Sequence, residues 1–144
     1  MNGNSNYQRP MGTKTLPPPP SPEWEKKFNP DWITKAITKD CIEYCKDFGA
    51  FLYKPGDLST SQIRMVYGEL KRIQMKGFDK EQTSFLLLRP KMAYADKRNE
   101  KGGLKELKKV FDKAYQYVES KVQFDNFMNF MEATLAYHKA AGGR

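Results

Sequence analysis

Residues 58–73, "LSTSQIRMVYGELKRI", contain a complete signal for the start of a helix. Ser59 is a favoured N-cap residue, and Gln62, three positions later, completes a capping box with it. Leu58 and Ile63 flank these two residues at the spacing of a hydrophobic staple. The sequence therefore predicts both where this helix begins and which way each of its side chains points.

With the register set, the helix divides into two faces. The apolar face is predicted to be buried and consists of Ile63, Val66, Tyr67, Leu70 and Ile73. The opposite face carries a cationic row, here called the basic strip, which consists of Arg64, Gly68, Lys71 and Met75, with Arg72 beside them. This spacing fits a solvated polar face and a phosphate-binding strip about equally well. Gly68 is costly inside a helix, and its cost is explained if another backbone approaches closely there.

The rest of the chain predicts an all-α protein, a compact bundle of about five helices. The first runs from Asn29 as N-cap through residues 30–52, and the second ends at Gly77. The other three are predicted within residues 79–98, 104–122 and 124–143. No pattern of a β-strand is present.

The third predicted helix has three features of its own. Asp79 with Gln82 forms a second capping signature at its start. Residues 85–88, "FLLL", are apolar on all sides and predict a segment deep in the core. Pro90 is expected to kink or restart the helix, because proline removes a backbone hydrogen bond.

The N-terminal part differs in composition from the rest. Residues 1–28 contain "LPPPPSP" and predict a flexible, disordered Pro-rich tail, whereas residues 29–144 predict a single helical domain. Trp24 and Phe28 are expected to attach the end of the tail to the domain.

The chain has 144 residues, of which 39% are hydrophobic, and a net charge of +8, which favours a polyanionic partner. It has no apolar run of the roughly 18 to 20 residues that a membrane span needs, and its N-terminus is polar. We therefore expect a cytoplasmic protein without a membrane contact. Cys41 and Cys45 are expected to be reduced, buried thiols.

The sequence contains no convincing set of catalytic residues or metal ligands. Cys41, Cys45 and His138 would provide three zinc ligands without a fourth, and His138 is expected to be a hydrogen-bonded structural residue. The acidic pairs, Asp79 with Glu81 and Glu23 with Glu25, are explained by helix capping and solvation. We predict no catalytic residue, no metal and no cofactor.

Three segments in order, "LSTSQIRMVYGELKRI", "FLLLRPKMAYADKR" and "FMEATLAYHKAAGG", resemble the small helical Csm subunit of type III-A CRISPR interference complexes. The resemblance covers residues 32–143. It implies a non-catalytic helical subunit that acts in antiviral defence, lines the channel holding guide RNA and target RNA, and contacts the RNA backbone without reading its sequence. It also implies other Csm subunits and stacked copies of the chain as partners. Independently of the resemblance, exposed apolar patches on a helical bundle often lead to self-association, so the isolated chain could form a homodimer.

Carried onto this sequence, the resemblance identifies basic residues in each segment as candidates for RNA contact. They are Arg64, Lys71, Arg72, Lys91, Arg98 and Lys139. Two alternatives stay open: a helical protein–protein adaptor with no direct RNA contact, and, with less support, a small metal-dependent nuclease.

Overall fold

The computed structural model describes residues 23–99 and 102–142, and it describes the backbone alone for residues 96–99. Within this part of the chain all regular structure is helical, which confirms the all-α class. The helices are α1 (Trp24–Lys27), α2 (Asp31–Thr34), α3 (Lys39–Tyr53), α4 (Thr60–Lys76), α5 (Gln82–Asn99), α6 (Gly102–Tyr115) and α7 (Lys121–Ala140). The five long helices correspond to the predicted bundle, and α1 and α2 add two single turns. None of the described helices is both long and apolar enough to cross a bilayer.

The core forms where α3 and α7 cross. A Cβ atom placed on Gly49 of α3 would lie 2.5 Å from the Thr134 carbonyl oxygen and 2.7 Å from the Tyr137 Cβ of α7. The two backbones therefore approach as closely as only glycine permits. Around this crossing the predicted apolar face of α7 is buried, which confirms Phe124, Phe127, Met128, Met131 and Leu135 as core residues.

The start of α4 forms as predicted. Ser59 Oγ accepts a hydrogen bond from the backbone N–H of Gln62 at 3.2 Å. In return, Gln62 Oε1 accepts one from the backbone N–H of Ser59 at 2.9 Å. Gly77 ends the helix with a φ of 103°, a conformation that glycine adopts without strain. Val66, Leu70 and Ile73 are fully buried, whereas Ile63 and Tyr67 are half-buried at the edge of the core.

The first predicted helix is wrong in its continuity. The chain forms α2, leaves helical structure and begins again at α3. Thr38 caps α3 by accepting a hydrogen bond from the Cys41 amide at 3.2 Å, so the new helix has its own start signal. Asn29 does act near the predicted start, since its Oδ1 accepts a hydrogen bond from the Asp31 amide at 3.0 Å.

Predictions for the third helix also need correction. It begins at Gln82 rather than near Asp79, because residues 77–81 form a turn, and it continues through Pro90 without a restart. Phe85 and Leu88 are buried as expected, but Leu86 and Leu87 are 55% and 49% exposed. This helix packs against α4 on one side and α6 on another, which leaves part of its apolar surface uncovered.

The boundary between the fourth and fifth helices also differs from the prediction. The helix α6 ends at Tyr115, and α7 begins at Lys121 after the N-cap Ser120, which accepts a hydrogen bond from the Gln123 amide. Val118, predicted on a helix, is buried in the intervening turn.

The segment before α2 packs against the body of the protein. The Trp24 ring lies 5.1 Å from the Phe48 ring, centroid to centroid, and Tyr44 Oη donates to the Trp24 carbonyl at 2.6 Å. Phe28 is buried beside Phe130. These contacts confirm that Trp24 and Phe28 attach this segment to the helices; residues 1–22 of the predicted tail lie outside the described residues.

Both cysteines and the histidine are buried in the bundle. Cys41 and Cys45 are buried free thiols with their sulfur atoms 4.0 Å apart. His138 is buried, and its Nε2 lies 2.9 Å from the Leu58 carbonyl oxygen, which confirms the predicted structural hydrogen bond and joins α7 to the start of α4.

The helix crossing makes a specific prediction about two glycines. We expect Gly49→Ala to lower the free energy of unfolding by about 1 to 3 kcal/mol, because its Cβ would collide with the α7 backbone. Gly68→Ala is the matched control: nothing lies within 4 Å of its Cβ position, so it should raise stability by up to about 1 kcal/mol. Urea denaturation measures both, and equal effects would contradict the close crossing.

Candidate nucleic-acid interface

The basic strip of α4 lies on the solvent side of the helix. Arg64, Gly68 and Met75 are exposed, and Met75 is 84% exposed. They lie opposite Val66, Leu70 and Ile73, which face α5 and α7. No other described residue forms an ion pair with Arg64. The start signal at Ser59 therefore fixes a register that presents the Arg64 guanidinium to solvent.

Lys71 lies two turns further along the same strip and is half-buried. Its Nζ donates to Gln74 Oε1 at 3.2 Å and lies 5.7 Å from the centroid of the Tyr67 ring. Both neighbours are uncharged, so they orient the ammonium group without neutralising it. Lys71 thus lies beside an aromatic side chain, and no described carboxylate pairs with it.

Arg72 differs from these two residues. It forms a bidentate pair with Glu69, at 3.0 Å from Nε and 2.8 Å from Nη2, and its Nη1 lies 2.9 Å from Glu81 Oε1. Glu81 directly precedes α5, so Arg72 connects the end of α4 to the next helix. The Arg72 guanidinium holds the pKa of Glu69 below its ordinary value; the pKa of Glu81 is lowered first by the Ser84 hydroxyl and then by Arg72.

Of the two candidates on α5, one is described in full. Lys91 is exposed, and its charge contributes, after Arg72, to lowering the pKa of Glu69 on α4. The side chain of Arg98 lies outside the part that the structure describes. The neighbouring Arg89 is engaged within the bundle, 3.4 Å from Asp112 Oδ1 and 5.7 Å from the Tyr115 ring centroid.

The last candidate, Lys139, is exposed in the final turn of α7 and borders a groove between α4 and α7. This groove, here called the α4–α7 groove, encloses about 330 Å³. Tyr67 Oη donates across it to Glu132 Oε1 at 3.2 Å. The groove is lined by Thr60, Ile63, Tyr67, Glu132, Leu135, Ala136, His138 and Lys139.

Sequence reasoning identified Lys139 but missed the groove. Ile63 and Tyr67 were assigned to the core, and their half-burial shows that they form the edge of the core instead. Their position between the buried face and the basic strip was the available signal. The opposite wall comes from α7, which no periodicity within α4 could reveal.

The described residues contain no group of three or more histidine, cysteine, aspartate or glutamate side chains arranged to hold a metal ion. Two of the acids considered for magnesium have other partners. Glu81 accepts from Arg72 and from the Ser84 hydroxyl, and Glu23 pairs with Lys26 at 2.8 Å.

The family model of Csm2 Type III-A matches residues 35–144, which include all of α3 to α7 within the described part. The chain belongs to this family. It is thus a small Csm subunit of type III-A CRISPR complexes, as the three sequence segments indicated, and other Csm subunits are its partners. Comparisons with curated proteins and with solved structures found no match.

Family membership places the candidate residues relative to the shared region. The basic strip, Lys91 and the α4–α7 groove all lie within the matched residues. The helices α1 and α2 precede them, although Trp24, Phe28 and Trp32 pack into the same core. In this Csm2 family member, residues ahead of the matched region therefore complete the bundle.

The Arg72 cluster predicts a dependence of stability on pH. Glu69 and Glu81 have lowered pKa values in the folded state. Their pairing with Arg72 therefore stabilises the fold fully at pH values above 4.5, the ordinary pKa of a glutamate. That contribution is lost as the pH falls through the lowered pKa values. The melting temperature of Arg72→Gln should therefore lie below that of the wild type near neutral pH, and the difference should shrink in acid. A difference that grows in acid would contradict this assignment.

Proposed function

We propose that this Csm2 family member is a non-catalytic structural subunit that lines the channel for guide RNA and target RNA in the type III-A complex. Arg64 and Lys71 of the basic strip, together with Lys91, contact the phosphates. The observation that carries this proposal is the exposure of Arg64 on the same side of α4 as Lys71, with no carboxylate bound to either among the described residues. Arg98 and Lys139 are further candidates for RNA contact in the proposal.

The geometry favours backbone contacts over reading of bases. A single helix face that presents two cations contacts phosphates along one strand, and it offers no row of donors and acceptors to a groove of the duplex. In an RNA-guided complex, base pairing reads the sequence, so a lining subunit needs only charge and shape.

Each copy makes few contacts, so its own affinity for RNA should be low. In the proposal, copies stack along the complex and repeat the same contacts, which raises the overall affinity without any new contact. Arg72 contributes less directly. Its two carboxylate partners balance its charge, and its pairing holds α4 against the start of α5.

The second candidate function, a protein–protein adaptor, is favoured by the exposed face of α5. Leu86, Leu87 and Tyr94 are exposed on one side of this helix, and Tyr94 is 66% exposed. An apolar surface of this kind is typical of a contact with another protein. The two functions differ in one measurable respect, because the adaptor needs no RNA.

RNA binding by Arg64→Ala/Lys71→Ala, measured against salt concentration, tests the proposal. Two lost phosphate contacts should flatten the slope of log affinity against log salt by about 1.4 for single-stranded RNA. The matched control is Lys39→Ala/Lys46→Ala, which removes the same charge from the exposed face of α3.

The control separates a specific strip from general charge. If both double variants lower RNA affinity equally and flatten its salt dependence equally, the net charge explains RNA binding and the strip has no special role. If neither changes RNA binding in the assembled complex, the adaptor function is the better explanation.

The non-catalytic role has its own test. The purified full chain, incubated with RNA and magnesium or manganese, should leave the RNA intact on a denaturing gel. Cleavage that co-purifies with the protein through successive columns would contradict it.

A further inference from the structure

We propose that the α4–α7 groove binds a single unpaired nucleobase of the RNA whose phosphates lie on the basic strip. This inference rests on the proposed function and adds a base-binding site to it. The groove and the strip are two adjacent faces of the same helix, and Tyr67 belongs to their border.

The position of the groove supports this assignment. Along α4, Ile63 and Tyr67 lie between the buried face and the row formed by Arg64 and Lys71. The Lys71 ammonium lies 5.7 Å from the Tyr67 ring centroid. A nucleotide whose phosphate is bound at Lys71 therefore has its base within reach of the groove.

The size of the groove fits one heterocycle. Its volume of about 330 Å³ lies at the lower end of the range of small-molecule sites, roughly 300 to 1,000 Å³. Ile63, Leu135 and Ala136 give it apolar walls, and the Tyr67 ring offers an aromatic surface. Unpaired bases are bound in this way, by stacking on aromatic side chains.

The charges within the groove favour a base over a phosphate. Glu132 is exposed, and its carboxylate would repel a phosphate but accept hydrogen bonds from the N–H groups of a base. The Tyr67 hydroxyl, which donates to Glu132 Oε1 at 3.2 Å, holds that carboxylate in place. Lys139 at the border can then neutralise the phosphate of a neighbouring nucleotide.

Ala136→Trp tests the inference by filling the groove from an exposed position on α7. Two probes are compared: a single-stranded RNA of about ten nucleotides and a fully paired RNA duplex of equal length. We expect the variant to lose about tenfold in affinity for the single strand, within the range for stacking of one base, and to keep its affinity for the duplex. Val122→Trp is the matched control, since Val122 is exposed near the other end of α7.

The outcomes separate this inference from the proposed function. If Ala136→Trp binds the single strand as tightly as the wild type, or loses both RNAs equally, no base enters the groove. The proposal that the basic strip contacts phosphates would still hold if Arg64→Ala/Lys71→Ala lowers RNA affinity and flattens its dependence on salt. If that double variant binds both RNAs normally, the proposed function itself fails.

Glu132→Gln gives a second test that does not depend on a bulky side chain. Removing a negative charge near bound RNA should raise affinity if the groove meets only the backbone. A base that donates to the carboxylate predicts the opposite sign, a several-fold loss for the single strand, because charged acceptors form the stronger hydrogen bonds. Increased or unchanged affinity for the single strand would overturn the inference.

Discussion

The close crossing of α3 and α7 at Gly49 is the constraint on which the rest of the bundle depends. With no side chain at this position, the α3 backbone reaches the Thr134 carbonyl of α7. One turn further along α7, His138 bonds to the Leu58 carbonyl, directly before the capping box that starts α4. The position of α4, and with it the outward direction of Arg64, is thus tied through α7 to the crossing at Gly49.

Local signals in the sequence were sufficient where they determined one helix by themselves. The capping box at Ser59 predicted the start of α4 and the burial of Val66, Leu70 and Ile73 correctly. Apolar character alone was insufficient to predict burial. Leu86 and Leu87 are as apolar as Phe85 and Leu88, yet they are exposed. Which face of α5 is covered depends on where α4 and α6 lie, and that information is tertiary.

The same distinction applies to the candidate site. Projection of α4 placed Arg64 and Arg72 near each other, but it could not show that Glu81, from the turn before α5, pairs with Arg72. The α4–α7 groove was invisible for the same reason, because its second wall is 65 or more residues away along the chain, as the Tyr67–Glu132 hydrogen bond shows.

The distribution of charge says more about where a polyanion could bind than the net charge of +8 does. Several lysines on α6 and α7 are paired within their own helices, for example Lys108 with Asp112 at 2.8 Å and Lys121 with Asp125 at 3.0 Å. Such pairs contribute little to stability, but they reduce the positive potential of their surface. The basic strip lacks this local compensation at Arg64 and Lys71. Arg64 and Lys71 therefore belong to the positive charge that a polyanion meets without a bound carboxylate in the way, because attraction follows the unpaired charge.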